Sequence, residues 1–101
     1  MNNNGLNDVD TTHDDDVLRA VCECVSEVLG VLPADLSASL TLDELGADSF
    51  HRMHLVLQLE RRFMIRLPSS YAAASQRTIG DYALAVVGAR ADNTQQYLRI
   101  T

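Results

Sequence analysis

Lysine and tryptophan are absent from this chain of 101 residues, and all eight of its basic side chains are arginines. No cation occurs in residues 1–16, which hold Asp8, Asp10, Asp14, Asp15 and Asp16. The other 85 residues nearly balance, with nine acids against eight arginines, so the net charge of −6 belongs mostly to the N-terminal segment. An acidic chain of this kind disfavours nonspecific binding to nucleic acid and to anionic membranes. No apolar run approaches the roughly 18 residues that a membrane span needs. The N-terminus lacks the basic residues and apolar stretch of a signal or transit peptide, so a cytoplasmic protein is expected. Cysteine is scarce too. Cys22 and Cys24 are two apart on a helical pattern and face different sides, which makes a bridge between them difficult and points to free thiols. Cys22 is expected in the core and Cys24 nearer the surface.

The length allows one domain. A core of this size buries only about 60–65% of the surface its unfolded chain exposes, which leaves little material for a walled substrate cleft. A carrier or binding module fits more easily than an enzyme. Residues 1–15 are polar and acidic and read as a disordered tail. Residues 16–90 read as the folded domain. Residues 91–101 read as a flexible C-terminal tail, with Tyr97, Leu98 and Ile100 able to dock.

Helical periodicity is clear in the domain. Val17, Leu18, Val21, Cys22, Val25, Val28 and Leu29 form an apolar stripe, with Asp15 or Asp16 as its cap and Gly30 at its end. Pro33 forbids a simple continuation. Residues 30–48 form a long connection with leucines at 32, 36, 40, 42 and 45, expected to be pinned to the bundle through short helical turns. Connections this long tend to be functional. A second helix is expected from about Ser49 to Phe63 or Met64. Its apolar face holds Phe50, Met53, Val56, Leu57 and Phe63, widened by Leu55 and Leu59. His51, His54, Gln58, Arg61 and Arg62 lie opposite. The weak alternation of 63–67 is too short for a strand and has no partner. Residues 69–76 include one short helix. Thr78 caps a last helix of 79–89, with Ile79, Tyr82, Ala83, Val86 and Val87 facing inward. The class is all-α: a bundle of three main helices, one short helix and a long first loop.

The chemistry centres on Leu45-Gly46-Ala47-Asp48-Ser49-Phe50. Gly46 permits a tight turn. Ser49 stands at the first position of a helix, where the dipole and free backbone N–H groups favour an attached phosphate. Asp48 beside it is an acceptor-only carboxylate, suited to a cation or a metal-bound cofactor brought by another enzyme.

An ordered set of segments around that serine resembles the acyl carrier protein family. Val28-Leu29-Gly30-Val31 with Asp35-Leu36 is similar to the end of the family's first helix and its loop entry. Leu40-Thr41-Leu42-Asp43-Glu44-Leu45-Gly46-Ala47-Asp48-Ser49 is similar to the approach to the modification site. Leu55-Val56-Leu57-Gln58-Leu59-Glu60, Phe63-Met64-Ile65-Arg66-Leu67-Pro68 and Thr78-Ile79-Gly80-Asp81-Tyr82 extend the likeness over about residues 16–88. The resemblance implies 4'-phosphopantetheine, attached to Ser49 by a phosphopantetheinyl transferase from coenzyme A with magnesium, and Asp48 in recognition by that enzyme. It implies acyl groups held as thioesters on the arm's thiol, with acyltransferases, ketosynthases or other acyl-processing enzymes as partners. The chain itself is expected to be a monomer and not an enzyme. Family members shelter acyl chains, and Phe50, Met53, Val56, Leu57 and Leu59 are the candidate walls here. Gly46-Ala47-Asp48 is closer to fatty-acid and polyketide carriers than to peptidyl carriers.

Two departures bear on partners. Phe50 replaces the family's usual leucine. Where acidic residues usually follow, this chain has His51, Arg52 and His54, and residues 51–66 hold four arginines against Glu60 alone. Phe50, His51, Arg52, His54, Arg61 and Arg62 are therefore the candidate docking residues, toward dedicated enzymes with an acidic or apolar surface. The acidic tail is also placed to mask this basic helix. Blander readings stand beside these. Ser49 as a mere cap, or His51 and His54 as metal ligands, leave the ordered match unexplained, and no third metal ligand is placed to help. A hydrolase lacks its nucleophile elbow. A non-carrier interaction subunit with the same fold and a helix-turn-helix reader of DNA are the competing functions. The intact Asp48-Ser49 pair and the acidic balance weigh against them.

Overall fold

The computed structural model describes residues 4–100, with side chains for residues 16–91. Four helices follow in order: α1 (Asn4–Leu29), α2 (Ser49–Phe63), α3 (Ser70–Ala73) and α4 (Ile79–Ile100). Two 3₁₀ turns, Pro33–Asp35 and Asp43–Leu45, interrupt the long first loop. No strand occurs among the described residues; Thr41 and Thr78 form one isolated antiparallel bridge. The all-α bundle with one short helix is thus the fold observed. α1 packs against α4 and α2, and α3 lies against α2.

α1 begins at Asn4, inside the segment 1–15 read from sequence as a tail, and α4 runs to Ile100, past residue 90. No proline stands in either segment and no glycine interrupts residues 6–29, so nothing breaks the backbone ladder. Asp16 consequently lies within α1 rather than capping it, and pairs at 3.7 Å with Arg19. The side chains of 1–15 and 92–101 lie outside the described residues, and with them Tyr97, Leu98, Ile100 and any masking of α2 by the acidic tail.

The core draws on all of the main helices. α1 contributes Val17, Ala20, Val21, Cys24 and Val25; α2 contributes Leu55, Val56 and Leu59; α4 contributes Ile79, Tyr82, Ala83 and Val86. The face of α1 is rotated from the expected one. Cys24 is buried and Cys22 only half-buried, the reverse of the sequence reading. Apolar residues occupy both edges of that stripe, and packing against α2 and α4 selects the edge that includes Ala20 and Cys24. Both thiols are free, and burial pushes each above its ordinary pKa. Val87, expected inside, is exposed.

The loop of 30–48 is stitched down at its middle. Ile79 N–H donates to the Leu40 carbonyl and Gly80 N–H to the Ala38 carbonyl, each at 2.8 Å. Gly80 suits that approach, since a Cβ there would stand 3.1 Å from the Ala38 oxygen. Of the loop leucines, Leu42 is buried, while Leu36, Leu40 and Leu45 are partly buried against the core. Leu32 stays exposed.

Leu59 is the α2 residue on which this core closes, at 0% exposure. Truncating a fully buried leucine costs about 2–5 kcal/mol. In a domain of this size Leu59→Ala is expected to lower Tm by roughly 10–25 °C in a calorimetric scan. A fall of only ~3 °C or less would contradict its place at the centre of the packing.

Candidate functional site

Three reciprocal caps hold the long loop and the starts of α4 and α2. In the loop, Thr41 N–H donates to Glu44 Oε1 at 2.8 Å and Glu44 N–H to Thr41 Oγ1 at 3.1 Å. At the start of α4, Thr78 N–H donates to Asp81 Oδ2 at 2.9 Å and Asp81 N–H to Thr78 Oγ1 at 3.0 Å, so Thr78 caps that helix as expected. At the start of α2, His51 N–H donates to Asp48 Oδ1 at 3.0 Å and Asp48 N–H to His51 Nδ1 at 3.2 Å. Histidine here takes the part usually played by Glu or Gln. The same Nδ1 lies 3.0 Å from Asp48 Oδ1, so the ring is held against the cap at both polar groups of Asp48.

Gly46 sets the direction from which the chain enters α2. Its φ of +86° is the left-handed conformation, and its N–H closes the 3₁₀ turn on the Asp43 carbonyl at 2.9 Å. A side chain there would be strained by about 1–2 kcal/mol. Asp48 then caps the helix in extended conformation, and Ser49 is its first helical residue, exposed. The capping bonds run between Asp48 and His51 and leave the Ser49 hydroxyl out. A phosphate on that oxygen meets the positive end of the α2 dipole and the donors of a first turn with no carbonyl ahead of them. The Asp48 carboxylate nearby carries the same sign as a phosphate, but it is committed to the His51 N–H. An exposed hydroxyl at such a position has the chemistry and the room to form a phosphodiester, and Ser49 is the residue that would hold it.

The remaining candidates divide. Phe50, Met53 and Leu57 are 66%, 47% and 48% exposed and lie along one side of α2, while Val56 and Leu59 are in the core. The five therefore do not line one pocket. The crevice beside the cap, between Val25, Val28, Leu29, Leu42, His51 and Leu55, is too narrow to admit a water molecule. His54 and Arg61 are exposed and His51 is half-buried within the cap. Arg52 is buried, which removes it from the docking set. Arg62 is held to α1, with an Nη 2.8 Å from Glu23 Oε1 and another 4.0 Å from Cys24 Sγ. That ion pair is half-exposed and contributes at most about 1 kcal/mol.

Asp43 and the Ala72 carbonyl, the partners of Arg52, escaped the sequence reading because nothing local marks them. Thr41 and Glu44 also escaped it, although their Thr-x-x-Glu spacing is the signal of a reciprocal cap. Among the described residues, no three of the His, Cys, Asp and Glu side chains gather to hold a metal, and no helix is long and apolar enough to cross a membrane.

Residues 19–86 match the family described as "Phosphopantetheine attachment site". The chain is similar to an acyl carrier protein of Prochlorococcus marinus, with 37% identity over 68 residues, which is 66% of this chain and 84% of that one. It is also similar to a stretch of the non-reducing polyketide synthase ausA of Aspergillus calidoustus, with 32% identity over 63 residues, 62% of this chain but 3% of the synthase. No solved structure matches. The chain belongs to the phosphopantetheine-attachment family of acyl carrier proteins. Its cofactor is a covalently held 4'-phosphopantetheine, and it is a carrier rather than an enzyme.

The cap carries a pH signature. The hydrogen bond from the His51 N–H is the largest cause that lowers the Asp48 carboxyl below its ordinary pKa. The bond is therefore fully present above the unfolded pKa of about 3.9 and is lost as the pH falls through the lower folded value. The His51 amide resonance is expected to titrate in acid with a midpoint below that of an ordinary aspartate. A midpoint at or above the ordinary value would contradict the cap.

Proposed function

We propose that Ser49 is the residue that bears the arm, and that residues 16–90 are the unit that carries it. When bound, the arm supplies a terminal thiol on which an acyl group travels as a thioester. The chain's own residues hold the serine at the mouth of α2, cap that helix without using its hydroxyl, and keep it exposed to a transferase. Asp48, next to it and exposed, is the recognition partner for that enzyme. The observation that carries this reading is the position of Ser49: first residue of α2, exposed, and outside the capping bonds. The protein acts as a cytoplasmic monomer that delivers acyl groups to enzymes of fatty-acid, polyketide or specialised lipid synthesis. The likeness to an acyl carrier protein and to a stretch of a polyketide synthase supports that range.

Incubation with coenzyme A, magnesium and a phosphopantetheinyl transferase is expected to add the mass of one arm to the intact chain. Ser49→Ala is expected to remain folded by circular dichroism and gain nothing. An unmodified wild type with several transferases would favour a non-carrier interaction subunit. An adduct on Ser49→Ala would place the arm elsewhere.

The docking face follows from the exposed side of α2. Phe50, Met53 and Leu57 present an apolar stripe that starts one residue from Ser49, flanked by His54 and Arg61. The acid of that helix, Glu60, accepts from the Leu67 N–H at 2.8 Å and is half-buried. The partner enzymes thus present an apolar groove with an acidic rim. Phe50→Ala is expected to weaken binding to a partner enzyme by about 2 kcal/mol, or roughly thirtyfold, in calorimetric titration. Unchanged affinity would remove Phe50 from the interface.

A further inference from the structure

Arg52 lies one helical turn beyond Ser49 and is turned inward, at 9% exposure. Its Nε donates to the Ala72 carbonyl at 3.1 Å, and an Nη lies 3.4 Å from Asp43 Oδ1. One guanidinium therefore joins α2, α3 and the 3₁₀ turn that leads to the modification site. α3 has only four residues, too few to hold itself as a helix. It is fixed from outside: by Arg52 on Ala72, and by the Tyr82 hydroxyl, which donates to the Tyr71 carbonyl at 2.7 Å. The Tyr71 and Tyr82 rings meet edge to face at 5.6 Å, and the Arg77 guanidinium stacks 3.9 Å from the Tyr71 ring. The seam between α2 and α3 is consequently the part of the bundle with the least helix of its own to hold it shut. Arg52 closes it at the end nearest Ser49.

A flexible arm on Ser49 has two flanks of α2 past which an aliphatic chain could enter the core. On one flank the crevice beside His51 and Leu55 does not admit water. On the other, the chain would have to displace a guanidinium from Asp43 and Ala72 and leave that cation against hydrocarbon, which is strongly unfavourable. The side chains below are already tightly packed, with Leu59, Ile79, Tyr82 and Val86 all at 0% exposure. We propose that Arg52 is a latch on the α2–α3 seam that keeps the acyl group outside the bundle, and that this carrier serves short or polar acyl groups that tolerate water. This proposal rests on Ser49 as the site of the arm.

The test uses the full chain loaded with acetyl- and octanoyl-phosphopantetheine, compared by methyl NMR of Leu55, Leu59, Ile79 and Val86 and by amide exchange of α3. Intact mass confirms loading first. In the wild type the core methyl shifts are expected to be the same with either cargo. In Arg52→Met, which keeps much of the side-chain volume and removes the charge, octanoyl is expected to move those methyls and acetyl to leave them in place. The Ala73 and Ala74 amides are expected to exchange severalfold faster. If Arg52→Met does not fold, Asp43→Asn weakens the same latch from the exposed side, and the same cargo comparison applies. Core methyls that move with octanoyl in the wild type would overturn the latch, as would a folded variant in which octanoyl and acetyl give identical core shifts. An absent adduct on Ser49 would overturn the carrier reading and the latch together. A confirmed adduct with moved wild-type methyls would overturn the latch alone.

Discussion

The reciprocal bond between Asp48 and His51 is the constraint on which the rest of the site depends. It decides where α2 begins. A cap one residue earlier or later would bury Ser49 in a turn or move it around the helix. The bond is exposed and small in energy, but its consequence is positional. The structure supports it from both sides. The left-handed Gly46 aims the chain into the helix, and the loop before it is tied to α4 through the Thr41–Thr78 bridge and two backbone bonds. A loop of this length would otherwise leave the serine without a fixed place.

α2 then divides its surface among three tasks. One face, with Leu55, Val56 and Leu59, makes the core. A second task falls to Arg52 and Arg62, which tie the helix to α3 and to α1. The third exposes Phe50, Met53 and Leu57 beside the site. Exposed apolar side chains set in a row on a small domain mark an interaction surface more often than a packing failure. Two arginines that sequence alone would place on a solvated basic face thus serve the fold, and the charge left on that face is smaller than the composition suggests.

Much of this was legible in the residues. Helices at 49–63 and at the start of α4, the short helix near 70 and the pinned loop all followed from period, proline and glycine. The Asp48-Ser49 pair stood where the structure puts it. The phase of the faces was harder. α1 has apolar residues on both edges of its stripe, so period alone does not choose between Cys22 and Cys24; contact with α2 and α4 does. Phe50, Met53 and Leu57 keep helical spacing with true core residues, and only the tertiary arrangement shows that they stay exposed among the described residues. Arg52 was illegible for a different reason. Its acceptor on Ala72 is 20 residues away in sequence, and a buried arginine leaves no local pattern.

The point of attachment is read most directly from a phosphorus–proton correlation spectrum of the protein isolated with its arm. A phosphodiester has no second proton to lose. The assignment to Ser49 therefore expects one phosphorus resonance that correlates with the β-protons of Ser49 and stays in place between about pH 5 and pH 8. A resonance that titrates near pH 6, as a phosphate monoester does, or one that correlates with another residue, would contradict it.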